Sequence, residues 1–178
     1  MKISLTVVNN FYLIAHYNAA DLPMLSNFEN DLKKQLSIVN KSFVSLGKPL
    51  RYEDKFMYVR DTMLLAPAGY NSLARLGELY NEEGDYSKRR ISQEDLNNMK
   101  EFLKRDEKAF KEYALQDAII TLKHAIAMEQ FNMSVKQIGV PLTLSSVGRN
   151  YVFTEWKKIF KKYIPNLWRF HDGERLRN

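Results

Sequence analysis

The sequence predicts one mixed α/β domain, on three observations. Apolar runs of strand length lie near the start, amphipathic segments with helical spacing fill the second half, and the order is strands, one helix, more strands, then helices. At 178 residues, 45% hydrophobic and 27% charged, the chain has enough apolar surface to offset the entropy of ordering one core, which excludes a disordered, collagen-like or mucin-like chain. No run approaches the roughly 18–20 apolar residues that cross a bilayer, so a soluble protein with no membrane partner is expected. The start Met1-Lys2-Ile3-Ser4 shows no targeting segment. With no cysteine there are no disulfides and no thiolate metal ligands, and the scattered His16, His124 and His171 do not make a histidine metal centre.

The apolar, aromatic run over 11–17 stops at Asn18 and reads as a buried strand, with a partner strand over 3–8. Leu22, Leu25, Phe28, Leu32 and Leu36 then recur every three or four residues, which predicts one amphipathic helix with Asp21 as N-cap and Pro23 in its first turn. Short extended pieces at 37–39 and 43–46 flank Asn40-Lys41. A further strand region runs from Phe56 through Leu65 to Pro67. Residues 72–80 form a short helix and 81–90 a charged surface loop. Ser92 with Asp95 is a capping box opening another helix. Phe110, Ala114, Ala118, Leu122, Ala125 and Ile126 mark the strongest helix, over about 108–128. After a connector holding Pro141, a last helix over 152–163 is expected to bury Val152, Trp156, Ile159 and Phe160.

Net charge is +6, but its distribution is uneven: residues 149–178 carry +5 and residues 1–148 carry +1. This divides the chain into a domain over 1–148 and a basic, aromatic helix and tail over 149–178. There Arg149, Lys157, Lys158, Lys161 and Lys162 alternate with Tyr151, Phe153, Trp156 and Phe160. Cations neutralise phosphates and rings stack on bases, so a DNA or RNA partner is expected; a solvated lysine face on an amphipathic helix gives the same pattern.

Two constellations carry candidate chemistry. Asn18-Ala-Ala-Asp21 sets a carboxylate just past a strand end. Tyr113-Ala-Leu-Gln-Asp117 sets a phenol and a carboxylate one helical turn apart on one face. Each also has a plain structural use, Asp21 as a helix cap above all.

In order and context, the segments His16-Tyr-Asn-Ala-Ala-Asp21, Val59-Arg-Asp-Thr62, Tyr113-Ala-Leu-Gln-Asp117 and Pro141-Leu-Thr-Leu-Ser-Ser146 resemble the proofreading exonuclease region of protein-primed family B DNA polymerases. The organellar and linear-plasmid branch is the nearest look-alike, over about residues 11–156. The resemblance implies an RNase H-like fold, a mixed sheet with flanking helices. It implies Asp21 and Asp117 as catalytic metal ligands, Tyr113 as a catalytic residue that orients a water, and Asn18 and Thr62 as contacts to single-stranded DNA. It also implies a mitochondrial location.

The family's first motif, Asp-x-Glu on the first strand, has no counterpart, because the first acidic residue of the chain is Asp21. The chain therefore looks like an excised middle whose sheet lacks its first strand. Two-metal hydrolysis clamps two ions about 3.5–4 Å apart between several carboxylates. Two carboxylates leave at most one weak Mg²⁺ site, or none if the role is structural, and activity close to background. An open sheet edge is expected to pair with a protein partner or a second copy. Three functions follow as expectations: a catalytically defective exonuclease-like fragment that binds nucleic acid, a structural component of a mitochondrial ribonucleoprotein such as the mitoribosome, and a 3′→5′ exonuclease completed in trans.

Overall fold

Side-chain alternation along one strand sorts the whole molecule into layers. In the strand Asn10–Ala15 (β1), Leu13 joins a cluster of Leu22, Phe28, Leu32, Leu50, Met57 and Val59, while Tyr12 and Ile14 turn to the opposite side against Leu65, Ala125 and Val140. The computed structural model describes residues 10–163 apart from 27, 47, 53 and 54. The strand expected over 3–8 and the tail beyond 163 lie outside them.

The sheet is small and mixed. The strand Lys55–Asp61 (β5) is central, with β1 parallel on one side and Leu50–Tyr52 (β4) antiparallel on the other. Tyr12 pairs with Tyr58 in register, and their rings stack at 5.2 Å. A separate hairpin, Ser37–Val39 (β2) and Ser42–Val44 (β3), turns through Asn40 and Lys41, both at positive φ as a tight two-residue hairpin requires. It leans on β5, where the Ser45 amide reaches the Val59 carbonyl at 3.3 Å. Arg60 fastens this layer from inside. Its guanidinium donates to the carbonyls of Ser45, Val59 and Val140 at 2.7–3.0 Å and lies over the Tyr12 and Tyr58 rings.

The helices are Asn18–Asp21 (α1), Leu73–Glu78 (α2), Gln93–Asn97 (α3), Met99–Arg105 (α4), Glu107–Ser134 (α5) and Leu144–Tyr163 (α6). The chain is thus mixed α/β, a small mixed sheet with flanking helices. Caps explain several starts: Ser72 accepts from Arg75, Ser92 from Asp95, and Asp106 from the Ala109 amide at 2.9 Å. Gly139 sits at positive φ so close beneath the Tyr12 hydroxyl that no Cβ fits there.

Five expectations are corrected. The single helix after Asp21 is instead α1, a 3-10 turn at Leu22–Met24, a π turn at Phe28–Leu32 and a 3-10 turn at Lys33–Gln35. Pro23 starts a new turn and Leu25 is extended and half exposed, so Leu22, Phe28 and Leu32 reach the core from separate short turns. Asp21 closes α1 and makes no side-chain cap bond. The second strand stops at Asp61, not at Leu65, because the Asp61 carboxylate caps a 3-10 turn at Thr62–Leu64. The last helix begins at Leu144, so residues 148 and 149 fall inside one continuous α6. Finally, Val152, Trp156, Ile159 and Phe160 are 42–54% exposed rather than buried.

Asp61 is wholly buried, and its oxygens accept the amides of Tyr17, Asn18 and Met63 at 2.8–3.0 Å. Asp61→Ala strands three amides in the interior. It should lower the urea-unfolding free energy by about 3 kcal/mol, whereas Lys34→Ala on the exposed 3-10 turn should change it by under about 0.5 kcal/mol.

Candidate active-site cleft

Asp21 and Asp117 are brought together from opposite parts of the chain. A cleft of about 460 Å³ is lined by Tyr12 to His16 of β1 and its end, by Asp21, by Leu73, and by Asp117, Ala118, Thr121 and Leu122 of α5. Each wall has a local cause. Tyr17, in the left-handed conformation, turns the chain sharply out of β1, and Asp61 holds the amides of Tyr17 and Asn18, so α1 starts at once and carries Asp21 to the cleft mouth. On α5, Tyr113 and Asp117 share one face a turn apart, with the Tyr113 ring buried.

Beside them sits a cation from the charged loop over residues 81–90. The Lys88 ammonium lies 3.1 Å from Asp117 Oδ2 and 5.4 Å from the centre of the Tyr113 ring. Burial alone would lower its pKa, but the Asp117 charge and hydrogen bonds to Asp117 and Tyr113 outweigh that and hold it above the usual lysine range. The loop is clamped from α5 by Gln116, whose Nε2 donates to the carbonyls of Asp85 and Ser87 at 3.0 and 3.1 Å, and by Tyr86, packed over Gly77 too closely to admit a Cβ. No spacing rule links Lys88 to Asp117; only the folded loop brings them together. The other carboxylate oxygen, Oδ1, is shut off from solvent without a hydrogen-bond partner among the described residues.

Asn18 and Thr62 are placed beside this cleft but turned into the fold. The Asn18 side chain is fully buried, donating to the Phe43 carbonyl at 2.5 Å and accepting from the Phe43 amide at 2.9 Å, so it ties α1 to β3. Thr62 is equally buried. Its hydroxyl lies 3.0 Å from His16 Nδ1 and 3.2 Å from the Ala15 carbonyl. Both side chains, expected to contact single-stranded DNA, are taken up by internal partners. The His16 ring donates from Nε2 to the Asn71 carbonyl at 2.9 Å.

The basic residues expected to meet nucleic acid lie elsewhere, on α6. Arg149, Lys157, Lys158, Lys161 and Lys162 are all exposed. Arg149 and Lys157 line a shallow hollow of about 340 Å³ with Phe153, Thr154, Asn150 and Gln137. Phe153, Trp156 and Phe160 form an edge-to-face ladder with ring centres 6.3 and 6.4 Å apart. No described helix is long and apolar enough to cross a membrane.

Among the described residues the cleft offers two carboxylates, and one is already paired with an ammonium. That donor set does not fit a pair of divalent ions, which need several carboxylates between them. Comparison with protein-family models, with curated proteins and with solved structures finds no match to this chain.

Burial lowers the pKa of His16, partly offset by its bond to Asn71, and burial also lowers that of His124. A histidine whose folded pKa lies below the unfolded 6.5 binds fewer protons in the native state, so its contribution is complete above pH 6.5 and is lost as pH falls through that value. The urea midpoint should therefore drop between pH 7 and pH 5. His16→Gln, which keeps a donor for Asn71, should drop less over that interval; parallel profiles would contradict this account.

Proposed function

We propose that the chain is an RNase H-like exonuclease domain of the protein-primed family B DNA polymerase type, catalytically silent by itself, which binds single-stranded nucleic acid through α6. The observation that supports it most is the meeting of Asp21 and Asp117 on one cleft, with Tyr113 a turn from Asp117. Those are the residues on which the sequence resemblance rests. The parallel pairing of β1 with β5, each ending at a motif residue or its neighbour, suits such a fold.

Silence follows from charge. Asp117 is neutralised by Lys88, and Asp21 is left exposed at the cleft mouth, so the most this set accommodates is one weakly held Mg²⁺ with waters completing its shell. When bound, that ion would supply charge for a phosphate oxygen. Asp21 and Asp117 would hold it, Tyr113 would orient a water, and Lys88 would balance negative charge. Asn18 and Thr62 serve by shaping α1 and the end of β5.

Binding then falls to α6, where lysines at i, i+4 spacing flank a ladder of rings. That same exposed ladder favours a second reading, a structural component of a mitochondrial ribonucleoprotein, in which α6 is buried against RNA.

With 3′-labelled single-stranded DNA and Mg²⁺ or Mn²⁺, the purified chain should give no shortening above background; processive shortening abolished by Asp117→Ala would refute the silent reading. In fluorescence anisotropy, charge reversal of Lys157, Lys158, Lys161 and Lys162 together should weaken DNA binding by about 10²-fold or more and flatten its salt dependence. Salt-resistant co-sedimentation with ribosomal RNA would favour the second reading.

A further inference from the structure

Two surfaces are left unfinished by the described residues, and they adjoin. The first is the outer edge of β1. This strand is parallel to its neighbour and covered on both faces, which is how an interior strand is built, yet no described strand lies on its outer side. The sequence Phe11-Tyr-Leu-Ile-Ala15 carries no charge, proline or glycine of the kind that protects an edge. Five consecutive residues, Tyr12 to His16, line the cleft, so the strand's main chain faces it.

The second is the outer face of α5. Leu115, Ile119, Leu122, Ile126 and Met133 are 39–61% exposed at spacings of four, three, four and seven, a coiled-coil-like stripe opposite the face that buries Tyr113, Ile120 and His124. Leu122 belongs to both surfaces, because it also lines the cleft beside β1.

We infer that the chain forms a two-fold dimer in which β1 pairs antiparallel with β1 of a second copy and the two α5 helices pack side by side through this stripe. One symmetry operation covers both surfaces. A two-fold axis between Ile119 and Leu122 sets each Leu115 against Ile126 of the second copy and each Ile119 against Leu122 of the second copy. Charge agrees. Lys111, which here pairs with Glu107 at 2.6 Å on its own helix, and Glu129 lie eighteen residues apart, five turns of an α-helix, so they share one flank of the stripe. The same axis brings Lys111 of each copy beside Glu129 of the second copy, giving two complementary contacts. A nucleic acid has no use for an aliphatic stripe, and the lysine-rich face of α6 would repel its own copy. The α5 face does neither. The inference does not rest on the proposed function, since α6 stays outside the interface.

Sedimentation equilibrium of the whole chain at 1–50 µM tests it. The expected mass is twice the 20.9 kDa of one chain. Leu122→Glu should weaken dimerisation by about 30-fold or more, with an unchanged far-ultraviolet circular dichroism spectrum and unchanged DNA anisotropy. Lys111→Glu and Glu129→Lys should each weaken it about 5–10-fold, and the double exchange should restore it. A wild-type monomer across this range, a dimer indifferent to Leu122→Glu, or a double exchange no better than the single ones would each overturn it. A monomer would hand the edge to another occupant, such as the chain's own first nine residues or a strand from a different protein.

Discussion

One buried carboxylate sets the geometry on which the cleft depends. Asp61 ends β5 and accepts three main-chain amides, two of them from the turn that leaves β1. Two parallel strands are thereby tied at the same end, and α1 begins without a cap of its own because the cap comes from the neighbouring strand. Such an acceptor gathers donors that would otherwise be buried and unmet, which costs more than an ordinary hydrogen bond gains. Tyr17 is held in the left-handed conformation by the same bonds. Asp21 reaches the cleft only because that turn is so tight.

The fold shows which parts of the pattern are read locally and which are not. The strand β1, the hairpin around Asn40-Lys41, the caps at Ser72 and Ser92 and the long α5 follow from neighbours a few residues apart, and the sequence displays them directly. The helix expected after Asp21 failed for a reason periodicity does not register. Leucines at helical spacing reach the same core equally well from a chain of short turns, and Pro23 with Ser26 favours the turns. Residues of α6 looked buried because they are apolar and periodic, but a periodic stripe states only that something should cover it.

At the cleft, the motif residues divide by chemistry. Asp21 and Asp117 stand out by spacing and both line the cleft, with Tyr113 buried a turn from Asp117 on α5. Asn18 and Thr62 were also read as functional, yet both are short polar side chains next to unpaired main chain, and the fold uses them there. Lys88 was invisible. It lies in a run of charged residues, and what selects it from Arg89 and Arg90 is the clamp of Gln116 on the loop, a long-range contact with no sequence signature.

Electrostatics then separates the two surfaces. A carboxylate and a phosphate about 4 Å apart repel by roughly 4 kcal/mol at an effective dielectric near 20, so acidic ligands admit a nucleic acid only when ions stand between them. Lys88 cancels one carboxylate and leaves the cleft with Asp21 uncompensated, too little positive charge to draw a polyanion in. The excess of cations sits on α6, reached without entering the cleft. A second copy seated on β1 would fill the same cleft with main chain, which needs no metal and carries no charge. The proposed pairing at β1 and the proposed nucleic-acid contact at α6 are therefore compatible in one molecule, because the cations of α6 and the edge of β1 would not compete for the same partner.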